Sequence, residues 1–508
     1  MTLLWYRDVI MKRQGAVALL TLLIVQWVLS TLVFAQTTII PSLTVSERYD
    51  SNIFFVPKSL LAPGNKPEDF ITTVTPQINI THEGARIRGG LFGSGLVTKY
   101  LNNPSRDFVG YNIGGQMDLT AVANQMSQRI TSLGVRGTYT STPSTTGFGA
   151  AGGGLGTGFG STSGGVLDTG QVTNRASRQI YTLGVRGGYQ LTGVTTLSGD
   201  YNYSKVSFGE QDAQSGGVNI PLFSTTGHQG STTISTQISA RDTVGATATM
   251  SHFIQEDSGG SRGSGSFTTI TETLNWSRLW TQQLNTSLSG GGTLRLPVGS
   301  AIPGQSSKLQ VVPFVAAAMT YSSFAEGFRA AGSSLRGPFD GLPSLAGSLN
   351  PGGIVAPGAY TVTMNYRFSL FPSFAFGAGP LKTHIVGINA TAGITPKLSG
   401  LAGANYSHGT QSTPSTTFDT IGLTVGANYL LGPVLASLTY NWLFFSREAD
   451  PSLSTQSTQY EFSKKVVLLS FSYAFTSPSF FNEGISIPSS AGTGRSPSGD
   501  GSGILRKE

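Results

Sequence analysis

The segment Val467-Leu468-Leu469-Ser470-Phe471-Ser472-Tyr473-Ala474-Phe475 sets Val467, Leu469, Phe471, Tyr473 and Phe475 against Leu468, Ser470, Ser472 and Ala474. A two-residue period sends successive side chains to opposite faces of a strand, so one face is greasy and aromatic and the other small. The pattern recurs in Ile421, Leu423, Val425, Ala427 and Tyr429, and in Tyr360, Val362, Met364, Tyr366, Phe368 and Leu370, whose partners are Thr, Asn, Gly, Arg and Ser. A soluble sandwich would place larger charged side chains on its wet face and would stop its strands at about five or six residues. Here the segments 108–121, 128–141, 177–191, 194–208, 267–279 and 282–296 each run ten residues or more. That suffices for the roughly 9–11 residues with which a tilted strand crosses a bilayer.

Composition points the same way. Only 11% of the 508 residues are charged, against about a quarter in an ordinary soluble chain, and 67 Gly with abundant Ser and Thr take their place. The hydrophobic fraction of 38% is too small for a helical membrane protein. A closed barrel, by contrast, shows lipid only every second side chain and tolerates such a composition. Cysteine is absent, which excludes disulfides, thiolate metal sites and a lipidated N-terminal Cys. The net charge of +7 comes from scattered residues that form no basic stripe, so nucleic acid is not an expected partner.

Connections alternate in length. Tight links with turn chemistry fall at 82–84, 191–193, 240–242, 280–281, 395–397 and 431–433, and long polar stretches at 143–176, 209–230, 256–266, 297–307, 410–416 and 446–458. Short turns at one end and long loops at the other are the arrangement of outer-membrane barrels. The expected fold is therefore all-β: a transmembrane antiparallel up-and-down barrel of about 16–18 strands spanning residues 36–475. Aromatic pairs near strand ends, Tyr201 with Tyr203 and Trp442 with Phe444, fit interfacial girdles. Segment 322–358 resists, because parity puts this Pro- and Gly-rich stretch at the short-turn end. It hides two short strands, folds inward as a plug, or betrays a miscounted strand upstream.

Lys12 and Arg13 precede an apolar run from Ala16 to Phe34, and Val33-Phe34-Ala35 offers a cleavage site, so residues 1–35 are expected to be a signal peptide, with Met11 a second candidate start. The alternative is a retained anchor. Residues 476–508 form a Ser/Gly/Pro-rich tail expected to be disordered. Arg129–Gly137 resembles Arg178–Gly187, and Thr-Pro-Ser-Thr-Thr occurs at 142–146 and 413–417; hairpin duplication explains both, and no regular spacing suggests a solenoid.

The chain offers little catalytic chemistry. His82, His228, His252, His384 and His408 lie in separate elements without ligand spacing, so neither a metal site, nor a cofactor, nor catalytic residues are expected. The Gly152–Gly158 stretch lacks the Gly-Lys-Ser/Thr ending of a phosphate loop. Charges on the polar faces are more informative. Asp118, Arg136, Arg186, Asp200, Arg295 and Arg367 share their faces with Thr, Ser, Asn and Gly and are expected to line a pore, since an Arg facing lipid at mid-depth costs roughly 2–4 kcal/mol. Four Arg against two Asp describe a mildly cationic wall; structural ion pairing across the lumen is the plainer alternative. Glu272 shares its parity with Ile270, Leu274 and Trp276, and a bulge or a near-rim position would reconcile it with the belt.

Ser46-Glu47-Arg48-Tyr49-Asp50-Ser51-Asn52-Ile53-Phe54, followed by Asp69-Phe70-Ile71-Thr72-Thr73-Val74-Thr75-Pro76, resembles the opening of a family of outer-membrane barrels associated with exopolysaccharide and exosortase (PEP-CTERM) gene systems. The likeness covers residues 42–80 by motif and the rest by strand rhythm. It implies an outer-membrane barrel, a role in polysaccharide export, and no catalytic residues. The last strand, ending in Tyr473 and Phe475, also looks like the terminal signature read by barrel-assembly machinery, although residues 476–508 follow it. The expected partners are outer-membrane lipid and lipopolysaccharide, that machinery, and either small polar solutes or an exported polysaccharide. The functional expectation is a porin-like barrel, with a structural or surface-binding barrel of blocked lumen as the alternative.

Overall fold

The computed structural model describes residues 36–54, 57–58, 61, 64, 66–144, 176–211, 223–257, 265–298, 310–323, 357–371, 381–412, 415–449 and 460–475. The expected signal segment 1–35, the tail 476–508 and the Gly152–Gly158 stretch lie outside them.

Eighteen strands follow one another in chain order. They are β1 (Gln36–Asp50), β2 (Asp69–Glu83), β3 (Arg88–Tyr100), β4 (Phe108–Asp118), β5 (Ile130–Ser144) and β6 (Ala176–Gln190). Next come β7 (Thr195–Gln211), β8 (Phe223–Gln237), β9 (Asp242–Asp257), β10 (Gly265–Leu279), β11 (Leu284–Val298) and β12 (Gln310–Ser322). The last six are β13 (Tyr360–Phe371), β14 (Leu381–Thr395), β15 (Leu398–Ser412), β16 (Ser415–Leu431), β17 (Val434–Ala449) and β18 (Tyr460–Ala474). Each pairs antiparallel with its sequence neighbour, and β1 pairs with β18, so the sheet closes. An even strand number returns both ends of the barrel to the tight-turn side.

Exposure separates the two faces. Leu91 (61%), Val109 (73%) and Leu274 (70%) stand in a belt with Val425, Leu438, Val467, Leu469, Phe471 and Tyr473, all open to the surroundings. The alternate positions, among them Ser46, Asn112, Thr420, Ser437 and Ser470, are buried on the inner face. The arrangement is the inverse of a soluble protein, and a contiguous apolar surface of this kind is stable only against lipid.

The tight turns close through hydroxyls rather than through glycine alone. Thr192, Ser239 and Thr281 each accept the backbone N–H groups of residues two and three positions on, in the links β6–β7, β8–β9 and β10–β11. Gly432, at φ 60°, supplies the left-handed residue between β16 and β17.

Several boundaries differ from the pattern reading. The expected strand 108–121 stops at Asp118 because Thr120–Met126 forms a short helix, α1, with the Thr120 N–H donating to Asp118 Oδ1 at 2.8 Å. Half of the expected loop 209–230 is strand, since β7 runs to Gln211 and β8 starts at Phe223. Its outer positions Thr226, His228 and Gly230 carry no apolar signal, and the backbone ladders to β7 and β9 hold it. Likewise 410–416 is no long loop, as β15 runs to Ser412 and β16 begins at Ser415.

For segment 322–358, β12 pairs directly with β13 and Ser323 N donates to Tyr360 O at 2.9 Å. No strand was miscounted upstream, and no extra pair of strands enters the wall there. The connection leaves from the tight-turn end; residues 324–356 are outside the described residues. Glu272 is corrected too. The β9, β10 and β11 registers run unbroken through it, opposite Ala248 and Gly292, so neither a bulge nor a rim position applies. It is an exposed carboxylate in mid-strand on the apolar face.

Candidate functional site

The inner face has two differently built regions. The first is the seam where β1 meets β18. Lys464 Nζ and Asp50 Oδ2 form a 2.8 Å ion pair whose side chains are 7% and 3% exposed. Asp50 Oδ1 also accepts the Asn52 N–H at 3.0 Å, Ser51 N donates to Lys465 O at 2.9 Å, and Lys465 N donates to Ser51 Oγ at 2.8 Å. The chain then turns inward. Ile53, Phe54 and Ile71 form a buried cluster with Leu61 and Tyr100 against it, and the Arg106 guanidinium lies 4.1 Å over the Phe54 ring. Fully buried Asp69 ties this segment to the β3–β4 connection, accepting from Asn102 N at 2.8 Å and Asn103 Nδ2 at 2.7 Å. Beside the seam, Phe418, Phe445 and Phe462 stack across β16, β17 and β18 with centroids 6.4 and 5.2 Å apart. Phe445 is wholly buried.

The second region spans β5 to β8 and contains three of the six residues singled out from sequence. Arg136 on β5 reaches over Gly184 of β6 so that its Nη2 donates to Asn202 Oδ1 on β7 at 2.9 Å. Asn202 Nδ2 in turn donates to Asp200 Oδ2 at 2.9 Å, and Ser231 Oγ on β8 donates to Asp200 Oδ1. Arg186 stands opposite Asp200 in the β6–β7 register. Arg136 and Asp200 thus belong to one network through Asn202, half-exposed rather than sealed, and register places Arg186 beside it. Asp118 stands apart, opposite Arg88 on β3. Arg367 lies across the barrel on β13, 5.8 Å from the Phe314 ring, and Arg295 holds a position on β11 opposite Thr269 and Gln310.

Sequence spacing missed how the histidines gather. His384 and His408 face each other on β14 and β15, with Tyr366 OH 3.1 Å from His384 Nδ1 and Asp419 Oδ1 2.9 Å from His408 Nδ1. Tyr201 OH lies 2.8 Å from His228 Nδ1. These groups share the outer face, the histidines and Asp419 toward the long-loop end, so they belong to an amphipathic girdle, which a strand-by-strand reading could detect only as isolated aromatics. No group of three or more His, Asp or Glu suited to a metal ion occurs among the described residues.

A closed 18-stranded sheet, greasy outside and hydrophilic inside, defines a transmembrane β-barrel of the outer-membrane class, and the protein resides in the outer membrane. No protein-family model and no curated protein matches the chain. Among solved structures it is similar to the outer membrane protein OpdK from Pseudomonas aeruginosa, with a TM-score of 0.43 and 10% identity over 86% of this chain and 99% of that one. It is also similar to the FrpB iron transporter from Neisseria meningitidis (TM-score 0.42, 10% identity, 86% and 82% covered) and to a bacterial polysaccharide outer membrane secretin (TM-score 0.31, 9% identity, 86% and 99% covered). What places this chain in a bilayer is its own surface.

Proposed function

We propose that the protein is a porin-like channel through which polar solutes or an exported polysaccharide cross the outer membrane. The observation that carries this reading is the half-exposed Arg136–Asn202–Asp200 network on the inner face of β5 to β7, where charged groups are left open instead of sealed. A barrel of 18 strands is wide enough to leave an aqueous path. Asp118, Arg136, Arg186, Asp200, Arg295 and Arg367 line that path, and the excess of Arg favours anions. Outer-membrane lipid, lipopolysaccharide and the barrel-assembly machinery are its partners, and the opening motif at residues 46–54 and 69–76 connects it with exopolysaccharide systems. The test is ion conductance of refolded protein in a planar bilayer under a salt gradient. Discrete current steps with an anion-preferring reversal potential are expected; insertion without current overturns the open-pore reading.

One observation favours a second reading, a structural or surface-binding barrel with a blocked lumen. The inner face at the seam is occupied, as Asp50, Asp69, Ile71 and Phe445 have almost no solvent exposure.

A further inference from the structure

Opposite the arginine network the inner wall changes chemistry. Between Arg367 on β13 and Arg447 on β17, the inward positions of β14, β15 and β16 hold no Asp, Glu, Lys, Arg or His among the described residues; His384, His408 and Asp419 have outward parity. What stands there instead is a set of carboxamides. Asn365 lies opposite Gly387, Asn389 opposite Gly403, and Asn405 opposite Gly422, in three successive ladders.

In each case the amide lies across the neighbouring strand's glycine. A Cβ on Gly387 would come within 2.7 Å of Asn365 Oδ1, and one on Gly403 within 2.6 Å of Asn389 Oδ1; Gly422 and Asn405 repeat the relationship. The glycines hold open a shelf on which three amides can lie along the wall. Adjacent strands are about 4.8 Å apart, so the amides form a closely spaced zigzag.

Several other inner-face amides are engaged. Asn112 accepts from Thr140, Asn202 binds Arg136 and Asp200, Asn275 donates to Thr247, and Asn441 accepts from Thr424. Among the described residues, the side chains of Asn365, Asn389 and Asn405 have no hydrogen-bonding partner, and all three are half-exposed. A carboxamide offers two donors and an acceptor with two lone pairs, fixed in one plane. A sugar hydroxyl, which both donates and accepts, matches that set; a carboxylate or phosphate would leave the acceptors unused and would prefer the arginines across the lumen.

We propose that Asn365, Asn389 and Asn405 form a binding track for an uncharged, hydroxyl-rich glycan chain on the β13–β15 wall. The proposal rests on the reading of the lumen as water-filled and narrows its cargo to neutral saccharide on this wall. The three amides act as ligand contacts, with Gly387, Gly403 and Gly422 keeping them accessible.

The test is equilibrium binding by calorimetry to the full refolded chain in detergent, which needs no ion current and so fails independently of the channel reading. The probes are maltohexaose, cellohexaose, a dextran hexamer and, for charge, an oligogalacturonate of the same length. At least one neutral glucan is expected to bind, and the combined Asn365→Ala, Asn389→Ala, Asn405→Ala variant to weaken it by roughly tenfold or more. Oligogalacturonate binding should be indifferent to that variant and should fall in Arg136→Gln. Folding of each variant is checked by heat-modifiable gel mobility, and single Asn→Ala variants replace the triple one if it does not fold. Neutral-glucan binding that persists in folded variants, or none across the panel, overturns the proposal.

Discussion

Asp50 on the first strand and Lys464 on the last meet across the barrel seam, with Nζ 2.8 Å from Oδ2 and both side chains almost wholly buried. The β1–β18 ladder pairs only Ser42–Asp50 with Val466–Ala474, and the ion pair sits at its upper end, where β1 leaves the wall. Removing one partner leaves a buried, uncompensated charge, which costs about 3–5 kcal/mol, whereas replacing both with neutral groups costs far less. Lys464→Met should therefore lower the urea midpoint of the folded barrel strongly. Asp50→Asn combined with Lys464→Met should recover most of the loss. Equal destabilisation in the single and double variants would show that the pair does not hold the seam.

The Asp69 carboxylate has a similar role one layer higher, joining the segment after β1 to the β3–β4 connection through Asn102 and Asn103. Asp69→Ala strands a backbone N–H and a side-chain amide in a buried site, at about 1–3 kcal/mol. The expected outcome is faster amide exchange at Ile53, whose N–H donates to Pro67 O, and at Asn102, with exchange in β10 and β11 unchanged. Uniform acceleration around the barrel would argue for a global effect instead.

Gly184 decides where Arg136 points. A Cβ there would lie 2.9 Å from Arg136 Nε and 2.6 Å from Asn202 Oδ1, so Gly184→Ala displaces the guanidinium from its amide acceptor. If the network sets selectivity, Gly184→Ala should shift the reversal potential toward that of Arg136→Gln while leaving the single-channel conductance within about a factor of two. A reversal potential unmoved by both variants removes these residues from the selectivity mechanism.

Period-two patterning made the barrel legible because every second residue of a membrane strand must be apolar, as in β13, β16 and β18. It failed where the outer face is itself small or polar. Thr226, His228 and Gly230 in β8 give no such signal, and their strand is held by backbone ladders that composition does not encode. The opening motif was legible as a resemblance but not as a structure. Asp50, Asn52, Ile53, Phe54, Asp69 and Ile71 converge at the seam only because β1 closes onto a strand more than 400 residues later. The carboxamide shelf was hidden for the same reason, since Asn365 and Gly387 are related by register and by nothing in their local sequence.

Glu272 is the sharpest departure from the outward pattern, with Ile270 and Leu274 on either side of it along β10 and Ala248 and Gly292 across the ladders. A carboxyl group here faces hydrocarbon, where an acidic side chain costs less than Arg or Lys but more than leucine. Glu272→Leu should raise the urea midpoint in phospholipid vesicles. Glu272→Lys should destabilise the barrel by up to about 2–4 kcal/mol and lower the midpoint accordingly, because lysine on the lipid face at mid-depth is costlier than an acidic residue. The same pair measured in a polar detergent should show a much smaller difference, since water then reaches the side chain. A lysine tolerated equally in vesicles and detergent would mean that this face of β10 is not in contact with lipid, and the orientation of the whole belt would have to be rebuilt from that strand.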